Sequence, residues 1–448
     1  MKASRVRIDV TVYAGQLRQA MAALLPAKGL GLIDGSRCGR WADRLLVIGA
    51  ILISWVAGGS ILDRFAAARD TLVRMYPSRR RPGRTYEGFV RKLARHTPRL
   101  LATLVEALRR RTIESCPSSG SCPSSGKVGR WTLFGADSTK LDCPMTAANE
   151  RQIGCASRDG SWPQVLLTTL VHLGGQLPWA WRAGPARASE RDQLRLMLEE
   201  LPADSMLVMD AGFVGFDLVK TILAQGQSIL LRVGSNVRLL QKLGLAAREH
   251  DGVVYLWPAE AQRRRMTPLV LRKVEAKDGR NRVMVLLTDV LDESLLSDGQ
   301  ALEVYRMRWG VELLYRAVKQ TLGRRKLLSD SPHFAEVEAQ WLMASVWVLG
   351  LLLRRDGQGP AEQNRPSVAR ALRAVRAAMA GRTDRRENGL LKRLRESVLD
   401  SYTRRGTKAA RHWPHRKNPK PPGEPQARTA TPTEVELARE LQKKRQAA

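Results

Sequence analysis

Cysteine and histidine are scarce in this 448-residue chain, at five and six, and none of the cysteines stands at zinc-binding spacing from another Cys or a His. That excludes a disulfide-built scaffold and a structural zinc module, and the odd cysteine count fits a reducing compartment. Aromatic residues make up only 5%, too few for a single-strand binder that stacks base after base on ring platforms. The chain opens MKASRVRIDV, charged and without the apolar run of a secretory leader, so a cytoplasmic, nucleoid-associated protein is expected. Long hydrophobic runs are nearly absent too. The one uncharged stretch, Leu45 to Leu62, lies between Arg44 and Asp63. By length it is a marginal membrane span. Its two Ser and three Gly, and the fact that it occurs once, favour a buried helix.

Negative charge is also in short supply. Asp and Glu number 43 against 75 Lys and Arg, a net charge of +32. An excess this large points to a polyanionic partner, nucleic acid ahead of an anionic membrane surface. Basic clusters stand at Arg79 to Arg84, Arg109 to Arg111, Arg263 to Arg265 and Arg324 to Lys326, and the tail from Arg404 holds twelve Lys or Arg against four Glu.

The length permits two or three domains. A tandem repeat, SCPSSGSCPSSG from Ser115 to Gly126, carries Cys116 and Cys122 and reads as a Pro-, Ser- and Gly-rich linker. Before it, Thr85 to Glu114 has helical spacing interrupted at Pro98. After it come strand-like runs at Trp131 to Lys140, Gln164 to His172, Ser205 to Asp210 and Ser228 to Val233, with helical patterns around Glu190 to Glu200 and Phe216 to Leu223. This is an α/β order. A β-rich stretch follows from Ser235 to Leu287, then two helices, the second an apolar one from Val337 to Leu353. Near the C-terminus Thr431 to Glu434 has capping-box form and predicts a helix to about Gln446, preceded by a basic, Pro-rich segment expected to be disordered.

The first of those two helices carries the chemistry. Tyr305, Arg308, Glu312 and Lys319 lie at offsets of zero, three, seven and fourteen, within about 60° of one helix surface. The opposite face holds Val304, Met307, Val311, Leu314, Val318 and Leu322, the band that anchors such a helix to a core. A solvated face with four-residue ion pairs is the plainer reading. Trp309 and Tyr315 flanking the stripe, and Gly310 within it, favour a surface that something approaches closely.

Two aspartates complete the picture. Asp137 lies inside a strand run, where Asp is disfavoured, and Asp210 ends an apolar run just before Ala211, Gly212 and Phe213. Either reads equally as a turn or cap residue. Together with Glu312 they make the three-acid set that metal-assisted phosphoryl transfer uses, with hard oxygen ligands holding two Mg²⁺ ions. His172, on an apolar strand, reads as a satisfied core residue, and Arg232 is a weaker site candidate.

The chain resembles the DDE transposases of the insertion-sequence-four family. Tyr305, Arg308, Glu312 and Lys319 match the family's Tyr-Arg-Glu-Lys spacing, Asp210-Ala-Gly-Phe213 resembles the segment around its second aspartate, and Asp137 in GADST resembles the first. Gly174 to Arg191 and Leu230 to Leu240 also look like the family. The resemblance implies a ribonuclease H-like core interrupted by a β-rich insertion. The layout is then a helical N-terminal domain with a possible DNA-binding role at 1–114, the linker at 115–126, the core at 127–234 and 288–355, the insertion at 235–287 and a basic helical or disordered region at 356–448. It implies Asp137, Asp210 and Glu312 as catalytic metal ligands for two Mg²⁺ ions, with Mn²⁺ able to substitute. Tyr305, Arg308 and Lys319 would hold phosphates of the element end, with Trp309 beside them to stack a displaced base. It further implies DNA nicking and strand transfer through a hairpin end, with transposon ends and target DNA as partners and at least a dimer at synapsis. A catalytically silent DNA-binding derivative, or an inhibitor of transposition, is the competing reading, and a membrane-anchored basic protein is the remotest.

Overall fold

The computed structural model describes residues 10–26, 30, 41–78, 81–115, 126–155, 162–247, 249–277, 283–354, 366–381, 389–398 and 423–447. Cys116, Cys122 and most of the expected linker repeat fall outside these residues, as does the basic segment up to 422.

Four helices come first: α1 (Val10–Ala22), α2 (Asp43–Trp55), α3 (Ile61–Met75) and α4 (Tyr86–Ser115). The uncharged run expected as one buried helix is instead two elements. Gly58 and Gly59, both at positive φ (59° and 70°), turn the chain after α2, and Ser60 starts α3 in a capping box with Asp63. Ten of the thirteen residues of α2 are buried. Its exposed carbonyls are closed from far along the chain: Arg324 Nη2 donates to the carbonyls of Ile53, Ser54 and Val56 at 2.8, 2.9 and 2.9 Å. The expected interruption at Pro98 does not occur, and α4 runs through it. One residue earlier Thr97 is fully engaged, donating to the Leu93 carbonyl and accepting from Trp341 Nε1. The apolar face around it, from Phe89 to Leu108, is buried, and tertiary burial outweighs the hydrogen bond that proline removes.

The sheet region runs β1 (Lys127–Val128), β2 (Trp131–Asp142), α5 (Ala147–Gln152), β3 (Gln164–His172), β4 (Leu177–Pro185), α6 (Glu190–Arg195), β5 (Ser205–Met209), α7 (Phe216–Ala224) and β6 (Ser228–Val233). The stretch from 235 supplies β7 (Arg238–Gln241), β8 (Val253–Leu256), α8 (Ala259–Arg263), β9 (Leu269–Lys277) and β10 (Val283–Thr288). Then come α9 (Asp298–Met307), α10 (Trp309–Arg316), α11 (Pro332–Arg354), α12 (Val368–Met379), α13 (Leu390–Arg395), β11 (Gln426–Thr429) and α14 (Pro432–Ala447).

All the strands join one mixed sheet in the order β11-β7-β8-β9-β10-β6-β5-β2-β3-β4, with β1 paired to β2. The strands β2, β3 and β4 are antiparallel neighbours, while β5 lies parallel to β2 and β6 parallel to β5. The β-rich stretch is therefore a continuation of this sheet, through antiparallel pairing of β10 on β6. Alternation along β2 divides the core. Leu133 and Leu141 face a cluster with α2, α4, α10 and α11, whereas Phe134 and Ala136 face the other with residues of α6 and α7. Among the described residues one helix is long and apolar enough to cross a membrane, α11, and 83% of its apolar window is buried in the protein.

Candidate active site

The parallel register of β2 on β5 pairs Gly135 with Val208. Continued by two residues, it sets Asp210, just past the end of β5, level with Asp137. Asp210 thus stands just past the carboxyl end of β5 and Asp137 beside it within β2, where the parallel pairing of the two strands gives out, the kind of strand end at which open α/β sheets place their sites. Asp210 is also the cap residue that its sequence context suggested: its Oδ1 accepts from Gly212 N at 2.9 Å and starts a short turn, Ala211–Phe213. A turn role and a site role coincide here.

The third acid arrives from above the sheet. Gly135 lets α10 press onto β2, since a Cβ there would stand 2.6 Å from Val311 Cγ2. Tyr315, on the same helix, is buried, and its hydroxyl donates to the Asp137 carbonyl at 2.7 Å. The expectation that Tyr315 flanks a polar surface is corrected: it is a core residue that ties the helix to the strand. The continuous helix of the sequence reading is also modified. α9 ends at Met307, Arg308 lies between the two helices in right-handed conformation (φ −52°, ψ −28°), and a π-helical turn, Ala317–Thr321, follows α10. The wider π turn shifts the phase of Lys319 against an ideal helix. The anchoring face is as expected, with Val304, Val311, Leu314, Val318 and Leu322 buried and Met307 partly so.

Arg308 occupies the centre of this arrangement. Its Nη2 lies 2.8 Å from Glu312 Oε1 and its Nη1 3.8 Å from Asp137 Oδ2, with its side chain only 14% exposed. Burial works against the guanidinium, yet Tyr305, Asp210, Asp137 and Glu312 hold its pKa above the ordinary arginine value. Burial pushes the Asp137 carboxyl up to about 6, with the negative charges of Asp210 and Glu312 adding to the shift and Ser138 N–H and Arg308 opposing it. Tyr305 is buried and its phenol pKa is raised by burial, while Arg308 and Arg232 favour its ionised form. Arg232 therefore belongs to the same neighbourhood.

Lys319 is half-buried near Asp142 and Asp137, and burial together with Arg325 lowers its pKa. Trp309 is 51% exposed and lines a cleft of about 320 Å³ with Tyr305, Arg306, Arg308, Leu302, Met284 and Lys277. Gly310 is buried, and a Cβ on it would meet the Gln176 side chain at 3.4 Å, so the close approach comes from within the protein. The neighbouring acids are engaged elsewhere or face solvent. Asp217 pairs with Arg264, Asp142 accepts from Gln164, and Glu303 is exposed. His172 is a core residue, its Nδ1 accepting from Gly175 N and its pKa pushed down to about 4 by burial and Arg354.

Several site residues were missed in the sequence. Glu190 Oε1 and Asp210 Oδ1 lie 3.1 and 3.0 Å from where a Cβ on Gly212 would stand, and Arg191 Nε donates to the Gly212 carbonyl at 2.9 Å. Ser189 caps α6, its Oγ accepting from Asp192 N, but only the fold brings that helix end against the Asp210 turn. Trp162, 44% exposed, lies under Lys326 Nζ at 3.6 Å, and the Lys326 backbone pairs with that of Asp142 at the end of β2.

As the side chains stand, no three Asp, Glu, His or Cys among the described residues converge closely enough to hold an ion. The donor set nevertheless suits a hard divalent cation, being all carboxylate oxygen. The guanidinium between Asp137 and Glu312 already serves there as a stand-in cation.

Residues 132–349 match the transposase DDE domain family. Over 220 residues the chain is 27% identical to the transposase InsG for insertion sequence element IS4 of Escherichia coli (strain K12), an alignment covering 46% of this chain and 49% of that protein. The match thus spans about half the length of this curated relative. Among solved structures, the piggyBac transposase synaptic complex with hairpin DNA, determined by cryo-EM, aligns with 90% of this chain and 84% of its own at a TM-score of 0.40 and 12% identity.

Proposed function

We propose that the chain is a DDE transposase of the IS4 type, as the match of residues 132–349 to the transposase DDE domain family and the partial identity to an IS4 transposase support, and that it binds the terminal inverted repeats of an insertion sequence, nicks them, and joins the freed 3′ ends to target DNA. The observation that carries this reading is the placing of the Arg308 guanidinium between Asp137 of β2 and Glu312 of α10, with Asp210 at the end of β5 near enough for its charge to act on the same group. The core is read as ribonuclease H-like, supported by three antiparallel strands followed by two parallel ones in the order β4-β3-β2-β5-β6.

Asp137, Asp210 and Glu312 would hold divalent metal, Mg²⁺ or Mn²⁺. When bound it supplies charge neutralisation and activation of the attacking oxygen, the usual contribution of metal to phosphoryl transfer. The chain's own residues do the positioning. Tyr315 fixes the backbone that presents Asp137, and the Gly212 N–H fixes the Asp210 carboxylate. Lys319 and Arg308 offer charge to phosphates on either side of Glu312, and Trp309 offers an exposed ring at the cleft mouth for a base that leaves the stack. Hairpin formation on the element end and a dimer at synapsis belong to the same proposal.

The test is incubation of the purified protein with Mg²⁺ and DNA carrying the inverted repeats that flank its gene. Nicking at the repeat ends is expected from wild type and a loss of at least about a thousandfold from Asp210→Ala, with end binding retained. Binding of the ends by both proteins without nicking by either would establish the catalytically silent alternative.

A further inference from the structure

We infer that Arg308 is a specificity-determining residue that couples metal loading to DNA: in the free protein its guanidinium fills the cation position between Asp137 and Glu312, and the carboxylates open to metal only when a DNA phosphate takes the guanidinium away. The inference rests on the metal-dependent reading of the site and deepens it.

Three observations carry it. First, Arg308 is bound on two sides, 2.8 Å from Glu312 and 3.8 Å from Asp137, and is itself largely buried. A buried cation spanning two carboxylates competes directly with any other cation for the same oxygens. Second, the charge of Asp210 acts on Arg308 together with those of Asp137 and Glu312, so the guanidinium answers to all three acids at once. Third, Arg308 sits at the junction between α9 and α10, outside either helix, and lines the open cleft beside Trp309 and Arg306. A turn of its side chain toward that cleft needs no helix to unwind, and in the cleft it meets whatever polyanion enters. Arginine suits the exchange because its planar fork pairs with two oxygens of a carboxylate or of a phosphate equally well.

The consequence is reciprocal coupling between metal and DNA. Without DNA the acids are neutralised internally and divalent ions bind weakly, which keeps the hydrolytic centre unloaded until a strand is in place. With DNA, the phosphate and the guanidinium pair, and Glu312 is released.

The experiment titrates Mn²⁺ into the full-length protein without DNA, following free Mn²⁺ by electron paramagnetic resonance. Arg308→Gln is expected to bind Mn²⁺ more tightly than wild type, by roughly 5- to 150-fold, the usual span for coupled sites. Arg308→Lys, which keeps the charge but loses the fork, is expected to fall between them. Arg316→Gln removes an exposed cation eight residues along and is expected to match wild type, so a general charge effect is separated from the bridge. Circular dichroism verifies that each variant is folded. Equal or weaker Mn²⁺ affinity in Arg308→Gln, with Asp210→Asn weakening it further, overturns the role of Arg308 and leaves the metal site standing. Mn²⁺ binding that Asp210→Asn does not change in either background overturns the metal-dependent reading itself.

Discussion

The Tyr315 hydroxyl donates to the Asp137 carbonyl at 2.7 Å within a buried environment, so one bond joins the strand that presents the first acid to the helix that presents the third. Removing the hydroxyl takes one of two donors from a carbonyl that stays paired with Thr169 across the β2–β3 ladder, and the net loss of such a bond costs about 0.5–1.5 kcal/mol. Tyr315→Phe is therefore expected to lower the unfolding free energy by that amount in a urea titration and to weaken Mn²⁺ binding in the same protein. An unchanged midpoint and slope would show that the bond carries no stability. The residues that identify the site were legible in the sequence because their chemistry is odd for their surroundings: Asp137 in a strand, Asp210 closing an apolar run, Glu312 on a stripe of cations. Tyr315 was not, because it sits at the margin of that stripe on an ideal helix, and only the packing of α10 onto Gly135 turns it inward. Glu190 was hidden for a similar reason, since nothing local to the start of α6 signals the Asp210 turn across from it.

Elements whose residues alternate or repeat were readable one by one, and their partners less so. The strands β2, β3, β5 and β6 follow from apolar runs, but β11 has no signal of its own: Gln426–Thr429 is exposed at every position and becomes a strand only by adding in parallel to β7. What holds it there is Glu434 at the start of α14. Its carboxylate accepts from Arg428 Nη2 and Nη1 at 2.7 and 2.8 Å and from Thr431 N at 2.8 Å, and Arg428 foremost holds its pKa down to about 2, against an ordinary 4.5. A folded-state value below the unfolded one means that this contribution is complete above pH 4.5 and is lost as pH falls through 4.5 toward 2. Hydrogen exchange of the α14 amides, corrected for intrinsic rate, is expected to lose protection across that window before the sheet does. Glu434→Gln should make α14 protection weaker at neutral pH and nearly independent of pH. The same acid-induced loss in that variant would place the sensitivity elsewhere.

On the scale of the whole molecule, one sheet separates two apolar clusters, and Asp137 and Asp210 stand where the parallel pairing of β2 with β5 gives out. That arrangement was foreseeable as α/β from the order of patterns. The merging of the β-rich stretch into the same sheet was not, because apolar periodicity marks a strand without naming its neighbour. Charge, in contrast, needs no fold to be read. With 75 basic residues and a net +32, the molecule should bind duplex DNA of any sequence through phosphates, and each contact releases counterions, giving a slope of about −0.9 in log K against log salt. Six to ten contacts would cost roughly 10³ to 10⁵ in affinity between 50 and 200 mM salt. Anisotropy of a labelled random-sequence duplex measures this directly, and a slope shallower than about −2 would mean that the basic surface is not a phosphate-binding one. Arg308→Gln separates the two kinds of cation in this chain. If Arg308 is held by Asp137 and Glu312 until a strand enters the cleft, its loss should change the slope by no more than about one contact, while the metal affinity of the DNA-free protein changes by an order of magnitude or so.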